Sequence, residues 1–313
     1  MSGLVSIADL DERGLEAVLD LSVAPLGTTP LSGMGVAMLF EHPSSRTRNA
    51  CEMAVVGLGG HPVAISASEL GIDSRESAED VARTLACYHA VIAARVARHS
   101  TLVRMHDALV SAGSGTFVVN LLSDREHPTE ALGDLLTIKE HFGALSGRVI
   151  TYVGDANNVA RSLVGAAALC GAEIRLASPS GYELTAADIA WAESLGGSPQ
   201  LYGSPLEAAR GAEVLYTDVW TSMGQDAERE ARLEAFRGYG IDEHLLEAAA
   251  PGAVVMHCLP AHRGEEISAS VIDGPQSVVW KQAANRMHAI SGLLRYLLGE
   301  ERDAPGSSGG ARW

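Results

Sequence analysis

Cysteine is scarce in this sequence, and its four copies are far apart. No two of them form a Cys-x-x-Cys pair, the spacing typical of metal-binding and redox motifs. A chain of 313 residues can bury a large apolar core and needs no disulfide bonds to hold it together. The pattern predicts reduced thiols in a cytoplasmic protein, at Cys51, Cys87, Cys170 and Cys258.

Long apolar runs and basic residues are also lacking. No apolar run reaches about 18 residues, the length that a membrane-spanning helix needs, and the acidic residues Asp9, Asp11 and Glu12 argue against a secretory signal. We therefore expect no membrane partner. With 23 Lys and Arg against 39 Asp and Glu, the formal charge is -16, which also disfavours nucleic acid as a partner. An anionic ligand must then be bound by a local cluster of basic side chains.

The sequence has no internal repeat and no low-complexity tract. Its length predicts two domains of about 150 residues each, and the segment Gly143-Ala144-Leu145-Ser146-Gly147 separates an amphipathic helix from a new strand. We place the boundary there, which gives a first domain of residues 1–142 and a second of residues 143–282. The polar residues 301–313 are expected to form a flexible tail.

Short β-rich apolar runs alternate with segments of helical period. Such alternation predicts an α/β fold with doubly wound parallel sheets, whose ligands gather at the carboxyl ends of the strands. The predicted helices are residues 49–58, 77–88, 132–142, 159–169 and 285–298. The predicted strands are residues 36–40, 91–96, 116–122, 149–153, 174–177, 214–219, 254–259 and 278–280.

A candidate anion site follows the first of these strands. Ser44, Ser45, Arg46 and Thr47 stand between the strand and a helix that begins near Asn49. Unpaired backbone N–H groups, the helix dipole, hydroxyls and guanidinium groups at such a turn suit a phosphate. The alternative is that Ser44 only caps the helix and the two arginines are solvated.

The run Ser-Ser-Arg-Thr-Arg at 44–48 resembles the carbamoyl phosphate signature Ser-Thr-Arg-Thr-Arg of the aspartate/ornithine carbamoyltransferase family, with Ser45 in place of Thr. The resemblance continues from about residue 40 to residue 298, with several motifs in the family's order. It implies that Ser44, Ser45, Arg46 and Thr47 bind carbamoyl phosphate. It also implies that Arg95, near the end of a buried strand, contacts the carbamoyl oxygen. The alternative for Arg95 is an internal ion pair with a residue such as Glu76.

The segment His127-Pro128-Thr129-Glu130-Ala131-Leu132-Gly133-Asp134 resembles the family's His-Pro-x-Gln-x-Leu-Ala-Asp. By this resemblance His127 donates a hydrogen bond to the carbonyl oxygen of carbamoyl phosphate and stabilises the oxyanion. Glu130 stands where the family has Gln, and Gly133 where it has Ala. A carboxylate at Glu130 can accept the same hydrogen bonds from the carbamoyl NH₂. Its charge beside a dianion would either weaken binding, require a raised pKa or indicate a changed substrate.

Two further motifs resemble the acceptor side of the family's site. Gly154-Asp155-Ala156-Asn157-Asn158 lacks the Gly-x-Gly-x-x-Gly spacing of a dinucleotide loop, so we expect no nicotinamide cofactor. The resemblance implies that Asn158 binds the amino-acid part of the acceptor; the alternative is an ordinary helix cap. The run 218–224 resembles the ornithine-type loop Asp-x-x-x-Ser-Met-Gly, which implies acceptor contacts from Asp218, Ser222 and Met223.

The last two motifs are His257-Cys258-Leu259-Pro260 and Asn285-Arg286. By resemblance Cys258 and Leu259 adjoin the donor, and Asp218 and Cys258 are candidates to orient the reacting amine and manage its proton. The alternative for Cys258 is inert packing. Arg286 is expected in the first turn of the last helix, reaching carbamoyl or phosphate oxygens, while that helix (283–300) returns to the first domain. The alternative is a surface ion pair.

The resemblance implies transfer of the carbamoyl group from carbamoyl phosphate to the side-chain amine of ornithine, giving citrulline and phosphate, within arginine metabolism. It implies no metal, no cofactor and a homotrimer, in which the loop at 66–73 reaches a neighbouring subunit. Glu130 keeps open a different or modified amine acceptor. A non-catalytic relative that only binds a ligand stays open as well, and the fold alone also allows a nicotinamide dehydrogenase.

Overall fold

A computed structural model describes residues 1–221 and 226–300, which contain two five-stranded sheets. All strand pairs in both sheets are parallel. The first sheet, in the order β1-β5-β4-β2-β3, consists of β1 (Gly3–Leu4), β2 (Gly35–Phe40), β3 (His61–Ser66), β4 (His89–Arg95) and β5 (Phe117–Leu122). The second, in the order β10-β9-β6-β7-β8, consists of β6 (Val149–Val153), β7 (Glu173–Ala177), β8 (Gln200–Tyr202), β9 (Val214–Thr217) and β10 (Val254–His257).

Helices connect the strands in both halves of the chain. Two short 3₁₀ helices span Ile7–Asp9 and Asp226–Glu228. The α-helices are α1 (Glu12–Val23), α2 (Ser45–Gly57), α3 (Ala67–Leu70), α4 (Ala78–Ala86), α5 (His99–Ser111), α6 (Pro128–Phe142), α7 (Asn158–Cys170), α8 (Ala186–Ser194), α9 (Pro205–Ala209), α10 (Arg229–Ala235), α11 (Glu243–Ala248), α12 (Ala269–Ile272) and α13 (Val279–Leu297). None of these described helices has both the length and the apolar character required to cross a bilayer.

The predicted α/β fold with doubly wound parallel sheets is confirmed, and the strands it missed are at sheet edges. The sequence did not indicate β1, β3 or β8, each of which ends a sheet. Residues of β3 are only half buried, and Pro62 lies within it, which an edge strand tolerates because one side needs no ladder hydrogen bonds. β3 therefore lacks the continuous apolar run by which the central strands and the buried edge strand β10 were recognised.

The predicted strand at 278–280 is wrong, because this segment begins the last helix. Val278 is the residue before α13, and its N–H donates to Val255 O at 3.0 Å. Local β propensity is overridden by the burial of Val279 in the core beside the second sheet. The helix starts six residues earlier than expected, so Arg286 lies in its third turn and not in its first.

Helix α13 belongs by packing to the first half of the chain. It contacts α1, α2 and α6, and it also reaches β10 of the second sheet. Ala289, Ile290, Leu293 and Leu294 are buried along it. A Cβ at Gly292 would lie 2.5 Å from Val18 O, so α13 and α1 approach too closely for any side chain at this point. The helix that follows the second sheet thus returns to the first.

Candidate active site

The predicted donor-site residues Ser44 and Arg95 stand where strands end and the turns to the next helices begin. Arg95 is the last residue of β4 and pairs in register with Phe40, the last residue of β2. Four residues separate Phe40 from α2, and this turn carries Ser44. Because β2 and β4 are neighbours in a parallel sheet, the turn and Arg95 emerge at the same edge.

Ser44 caps α2, and Arg46 and Arg48 are both exposed, as the alternative interpretation proposed, but Thr47 between them is buried. The Ser44 Oγ accepts a hydrogen bond from Thr47 N at 3.4 Å, and Ser45 is the exposed first residue of the helix. Arg48 is exposed and pairs with Glu52 at 2.8 Å, whereas Thr47 is buried. The Arg286 Nη2 donates to Thr47 Oγ1 at 3.0 Å. The cap therefore also anchors a guanidinium group.

Arg46 and Arg286 line a common cavity of about 280 Å³, which Cys258 also borders. Arg286 is 5% exposed, so the alternative of a surface ion pair is wrong. Its acidic partner, Glu130, is buried as well, with Oε2 at 3.0 Å from Arg286 Nε. The motifs at 44–48 and 285–286 and the acid at 130 are thus adjacent in space.

Arg95 is buried near these groups, and within the described part of the chain no carboxylate lies within ion-pair distance of it. No ion pair joins it to the exposed Glu76, and its Nε has no hydrogen-bond partner among the described residues. Burial and then repulsion from Arg286 lower the pKa of Arg95 to about 10. Glu130 opposes this shift, and Arg46 adds to it. Converging positive charges with unused N–H donors form a site for an anion.

His127 and Glu130 lie side by side in this basic environment. The His127 Nε2 is 3.1 Å from Glu130 Oε2, and both side chains are almost fully buried. Burial, followed by the charges of Arg286 and Arg95, holds the pKa of His127 well below its usual value, so its imidazole is neutral at pH 7. A neutral imidazole donates through one nitrogen only, and the buried Nδ1 has no partner within the described chain.

Glu130 keeps one carboxyl oxygen unused. Its Oε1 is buried and has no hydrogen-bond partner in the described part of the chain. Burial raises the pKa of Glu130, an effect that Arg286 partly offsets and Asp218 strengthens. One oxygen is available to accept a hydrogen bond from a ligand, while the other contacts Arg286 and His127.

Asp218 follows β9 and accepts three hydrogen bonds. The donors are Val219 N to Oδ1 at 2.7 Å, Cys258 Sγ to Oδ1 at 2.8 Å and Asn157 Nδ2 to Oδ2 at 2.9 Å. Burial, then the charge of Asp218, keeps the pKa of Cys258 well above its usual value. Cys258 is therefore a protonated thiol that donates to Asp218, and it does not act as a thiolate.

Asn157, which the sequence motifs did not single out, is the residue that caps α7. Its Oδ1 accepts from Val159 N at 2.9 Å while its Nδ2 holds Asp218. Asn158 is not the cap; its Nδ2 donates to Ser123 O at 2.6 Å, across to the chain that leaves β5. The signal for Asn157 was present in the doubled Asn of the motif, but only the structure separates the two roles.

The turn that carries Cys258 is held by two buried side chains to which the sequence motifs assigned no role. His257 Nδ1 accepts from Leu259 N at 2.9 Å, and its Nε2 lies 3.1 Å from Glu266 Oε1. Leu259 adopts a φ of 60°, a conformation unusual for a residue with a side chain. Asp218, His257 and Cys258 bring ligand-type atoms within 4.8 Å of one another, although each is engaged in the hydrogen bonds described above.

The donor-side residues Ser44, Arg46, Thr47, Arg95, His127, Glu130 and Arg286 thus lie together, and Cys258 links them to Asp218. Two predicted acceptor residues, Ser222 and Met223, lie outside the described residues. Gly133 allows the close contact between α6 and α13, since a Cβ there would lie 3.3 Å from the backbone of Arg286. The predicted cluster is therefore largely formed by groups from both sheets.

Comparisons with known proteins agree with this arrangement. Residues 3–140 match the family model for the carbamoyl-P binding domain of aspartate/ornithine carbamoyltransferase, and residues 146–297 match its Asp/Orn binding domain. An ornithine carbamoyltransferase of Acidothermus cellulolyticus is 46% identical over 310 residues, covering 96% of each chain. One from Parafrankia sp. is 47% identical over 282 residues, which are 89% of this chain and 87% of that one.

Solved structures of ornithine carbamoyltransferases are also similar to this chain. The ornithine carbamoyltransferase from Pyrococcus furiosus superposes with a TM-score of 0.88 at 39% identity, covering 96% of this chain and 98% of that chain. The enzyme from Thermus thermophilus gives a TM-score of 0.85 at 41% identity, covering 95% of this chain and 99% of that chain. The chain belongs to the aspartate/ornithine carbamoyltransferase family.

Proposed function

We propose that this protein transfers the carbamoyl group of carbamoyl phosphate to the side-chain amine of L-ornithine, giving L-citrulline and phosphate. The observation that carries the proposal is the buried Arg95, whose Nε has no hydrogen-bond partner among the described residues, beside Arg46, Arg286 and the neutral His127. These groups face Asp218 and Cys258 from the second sheet. A basic pocket for a small dianion therefore adjoins a carboxylate that suits an ammonium group.

On the donor side, the phosphate would bind at the start of α2, against Ser44, Ser45, Arg46 and Thr47. Arg95, His127 and Arg286 would contact the carbamoyl oxygen or the phosphate. The unused Oε1 of Glu130 would accept a hydrogen bond from the carbamoyl NH₂, and Cys258 and Leu259 would border the donor. Arg95 Nε and Glu130 Oε1 support these assignments, because neither has a hydrogen-bond partner among the described residues.

On the acceptor side, Asp218 and Asn158 would hold the amino-acid part of ornithine together with Ser222 and Met223. The side-chain amine, with a normal pKa near 10, must lose a proton before it attacks. We assign Asp218, with the Cys258 thiol that donates to it, to orient this amine and receive its proton. The raised pKa of Cys258 supports a role as hydrogen-bond donor rather than base.

Catalysis then consists of positioning and charge stabilisation. The amine nitrogen attacks the carbonyl carbon, and Arg46, Arg95 and His127 stabilise the oxyanion. The C–O bond to phosphate breaks as the carbonyl re-forms. The phosphate leaves with the electron pair toward Arg286 and the start of α2, and it takes the second proton from the attacking nitrogen. Each of these steps uses side chains of the protein alone.

The domain division and assembly are part of the same proposal. Residues 1–142 with 283–300 would form the donor domain and residues 143–282 the acceptor domain, supported by the packing of α13 on α1, α2 and α6. The family resemblance supports a homotrimer, in which the loop at 66–73 would reach a neighbour, and a cytoplasmic location. The predicted tail at 301–313 lies outside the described residues.

A different amine acceptor is the second candidate, and Glu130 favours it. A buried carboxylate beside Arg286 replaces the neutral amide of the family motif and changes the charge of the site. The acceptor would still have to present a neutral amine to the carbonyl carbon and an ammonium group to Asp218.

The deciding experiment is an assay for citrulline and phosphate with carbamoyl phosphate and ornithine, beside a panel of other primary amines. We expect citrulline from the wild type and from Glu130→Gln, which keeps the size of the side chain and removes its charge. Exposed Glu193 supplies a matched control, Glu193→Gln. If Glu130→Gln makes citrulline from ornithine and the wild type does not, the result favours the changed acceptor. If the wild type releases no phosphate with any amine, the proposal is overturned.

A further inference from the structure

Arg232 is a buried cation outside the donor cluster. Among the described residues its side chain donates to Asp155, Trp220 and Glu228, and to neither Asn158 nor Asp218. It lies on α10 and is 6% exposed. Its Nη1 donates to Asp155 Oδ2 at 2.7 Å and to Trp220 O at 2.9 Å, and its Nε donates to Glu228 Oε2 at 3.2 Å. One guanidinium group thus satisfies two carboxylates and a backbone carbonyl.

The three partners come from separate stretches of chain around the acceptor side. Asp155 stands in the turn after β6, two residues before Asn157, which holds Asp218. Trp220 lies two residues beyond Asp218, after β9. Glu228 ends the short helix that begins after residue 225. Arg232 therefore connects both stretches that flank residues 222–225 to the turn that carries Asn157.

An aromatic cluster fixes the guanidinium group in this place. Its carbon lies 4.9 Å from the centre of the Tyr182 ring. Phe236, one turn along from Arg232, is fully buried and stacks on Trp220, with ring centres 5.5 Å apart at 22°. Trp220 is thus held by its ring and by its carbonyl, and the backbone that leaves Asp218 has little freedom to shift.

The charges give Arg232 a second effect. Asp155 and Asp218 are two carboxylates at neighbouring strand ends, and both would attract an ammonium group. Burial raises the pKa of Asp155, and the hydrogen bond from Arg232 opposes that rise. At 2.7 Å from Arg232 Nη1, the Oδ2 of Asp155 is occupied by the guanidinium group. Of these two carboxylates, Asp218 is therefore the one available to bind the ammonium group of the acceptor.

We propose that Arg232 is the positioning residue of the acceptor side: it joins Trp220, Glu228 and Asp155 so that Asp218 keeps its place and direction. The inference rests on the proposed function for its meaning in catalysis. Arg232 does not touch substrate, and its effect is expected in acceptor binding and not in donor binding.

The kinetic test compares Arg232→Lys and Arg232→Gln with the wild type. Arg237→Gln is the matched control, because Arg237 is exposed and pairs with Glu234 on the surface. We expect the KM for ornithine to rise between about tenfold and hundredfold, with the larger rise in Arg232→Gln. The KM for carbamoyl phosphate should stay within about twofold, and Arg237→Gln should match the wild type. A rise in both KM values together would overturn the inference.

Hydrogen exchange supplies a readout that does not depend on turnover. Backbone amides at 218–221 and 226–228 should exchange faster in both Arg232 variants than in wild type and Arg237→Gln, while α2 and α6 keep their protection. If the wild type makes no citrulline, the proposed function fails and the exchange data still decide the inference. Unchanged exchange in these two segments, or a uniform increase over the whole chain, would refute it.

Discussion

At the scale of single residues, Glu130 is the departure with the largest physical consequence. Its carboxyl group lies 3.0 Å from Arg286 and 3.1 Å from His127. The arginines favour the charged form, but burial outweighs them and raises the pKa of Glu130. A carboxyl group with a raised pKa is neutral over more of the acidic range than an ordinary Glu and becomes charged as the pH rises through that pKa.

The raised pKa of Glu130 should make binding of carbamoyl phosphate depend on pH. When Glu130 is neutral it adds no charge beside a dianionic donor, and when it ionises it repels that donor. We expect the KM for carbamoyl phosphate to increase as the pH rises through the raised pKa of Glu130, and Glu130→Gln to remove this increase. The measurement is a pH profile of KM for the two proteins at fixed ionic strength. A profile of the same shape in both would show that Glu130 does not titrate in this way.

At the scale of elements, the contact between α6 and α13 sets the position of Arg286. Gly133 lies in α6, and the helix propensity of Gly is less favourable than that of Ala by about 1 kcal/mol. A Cβ at this position would lie 3.3 Å from the N, Cα and Cγ atoms of Arg286, closer than most such contacts. The glycine therefore permits an approach that a side chain would widen by a few tenths of an ångström.

For Gly133→Ala, the gain in helix propensity and the tight contact oppose each other. We expect the free energy of unfolding to change by less than about 1 kcal/mol, while the KM for carbamoyl phosphate rises because Arg286 is displaced. Denaturant unfolding and steady-state kinetics measure the two effects. If Gly133→Ala is stabilised by the full difference in helix propensity and its KM for carbamoyl phosphate is unchanged, α13 has room to adjust. The contact at residue 133 then does not control the position of Arg286.

At the scale of the whole molecule, α13 connects the two sheets through buried polar side chains. Gln282 Nε2 donates to Asp134 Oδ1 at 2.7 Å, and its Oε1 accepts from His257 N at 2.8 Å. Burial, followed by the charge of Glu130, holds the pKa of Asp134 well above its usual value. Gln282 thus satisfies a buried acid on α6 and the backbone of β10 at the same time.

Loss of this link should destabilise the whole protein. Gln282→Ala leaves Asp134 Oδ1 and the N–H of His257 buried without these partners, and we expect a loss of about 2 kcal/mol in unfolding free energy. Gln200→Ala, at an exposed position of the edge strand β8, should have little effect. The midpoint of thermal unfolding compares the two. Equal midpoints for both variants would mean that water replaces the lost hydrogen bonds.

The sequence by itself determined the parallel α/β fold, because buried central strands need continuous apolar runs, and it located the polar motifs at their ends. Its resemblance to the family's motifs also indicated Arg46, Arg95, His127, Asp218, Cys258 and Arg286 as site residues. Only the tertiary structure decided that α13 starts at Val279, that Glu130 contacts Arg286, that Asn157 rather than Asn158 caps α7, and that Arg232 joins three separate stretches. Those outcomes depend on contacts between residues far apart in the chain, and local pattern contains no information about which distant partner will be within hydrogen-bonding distance.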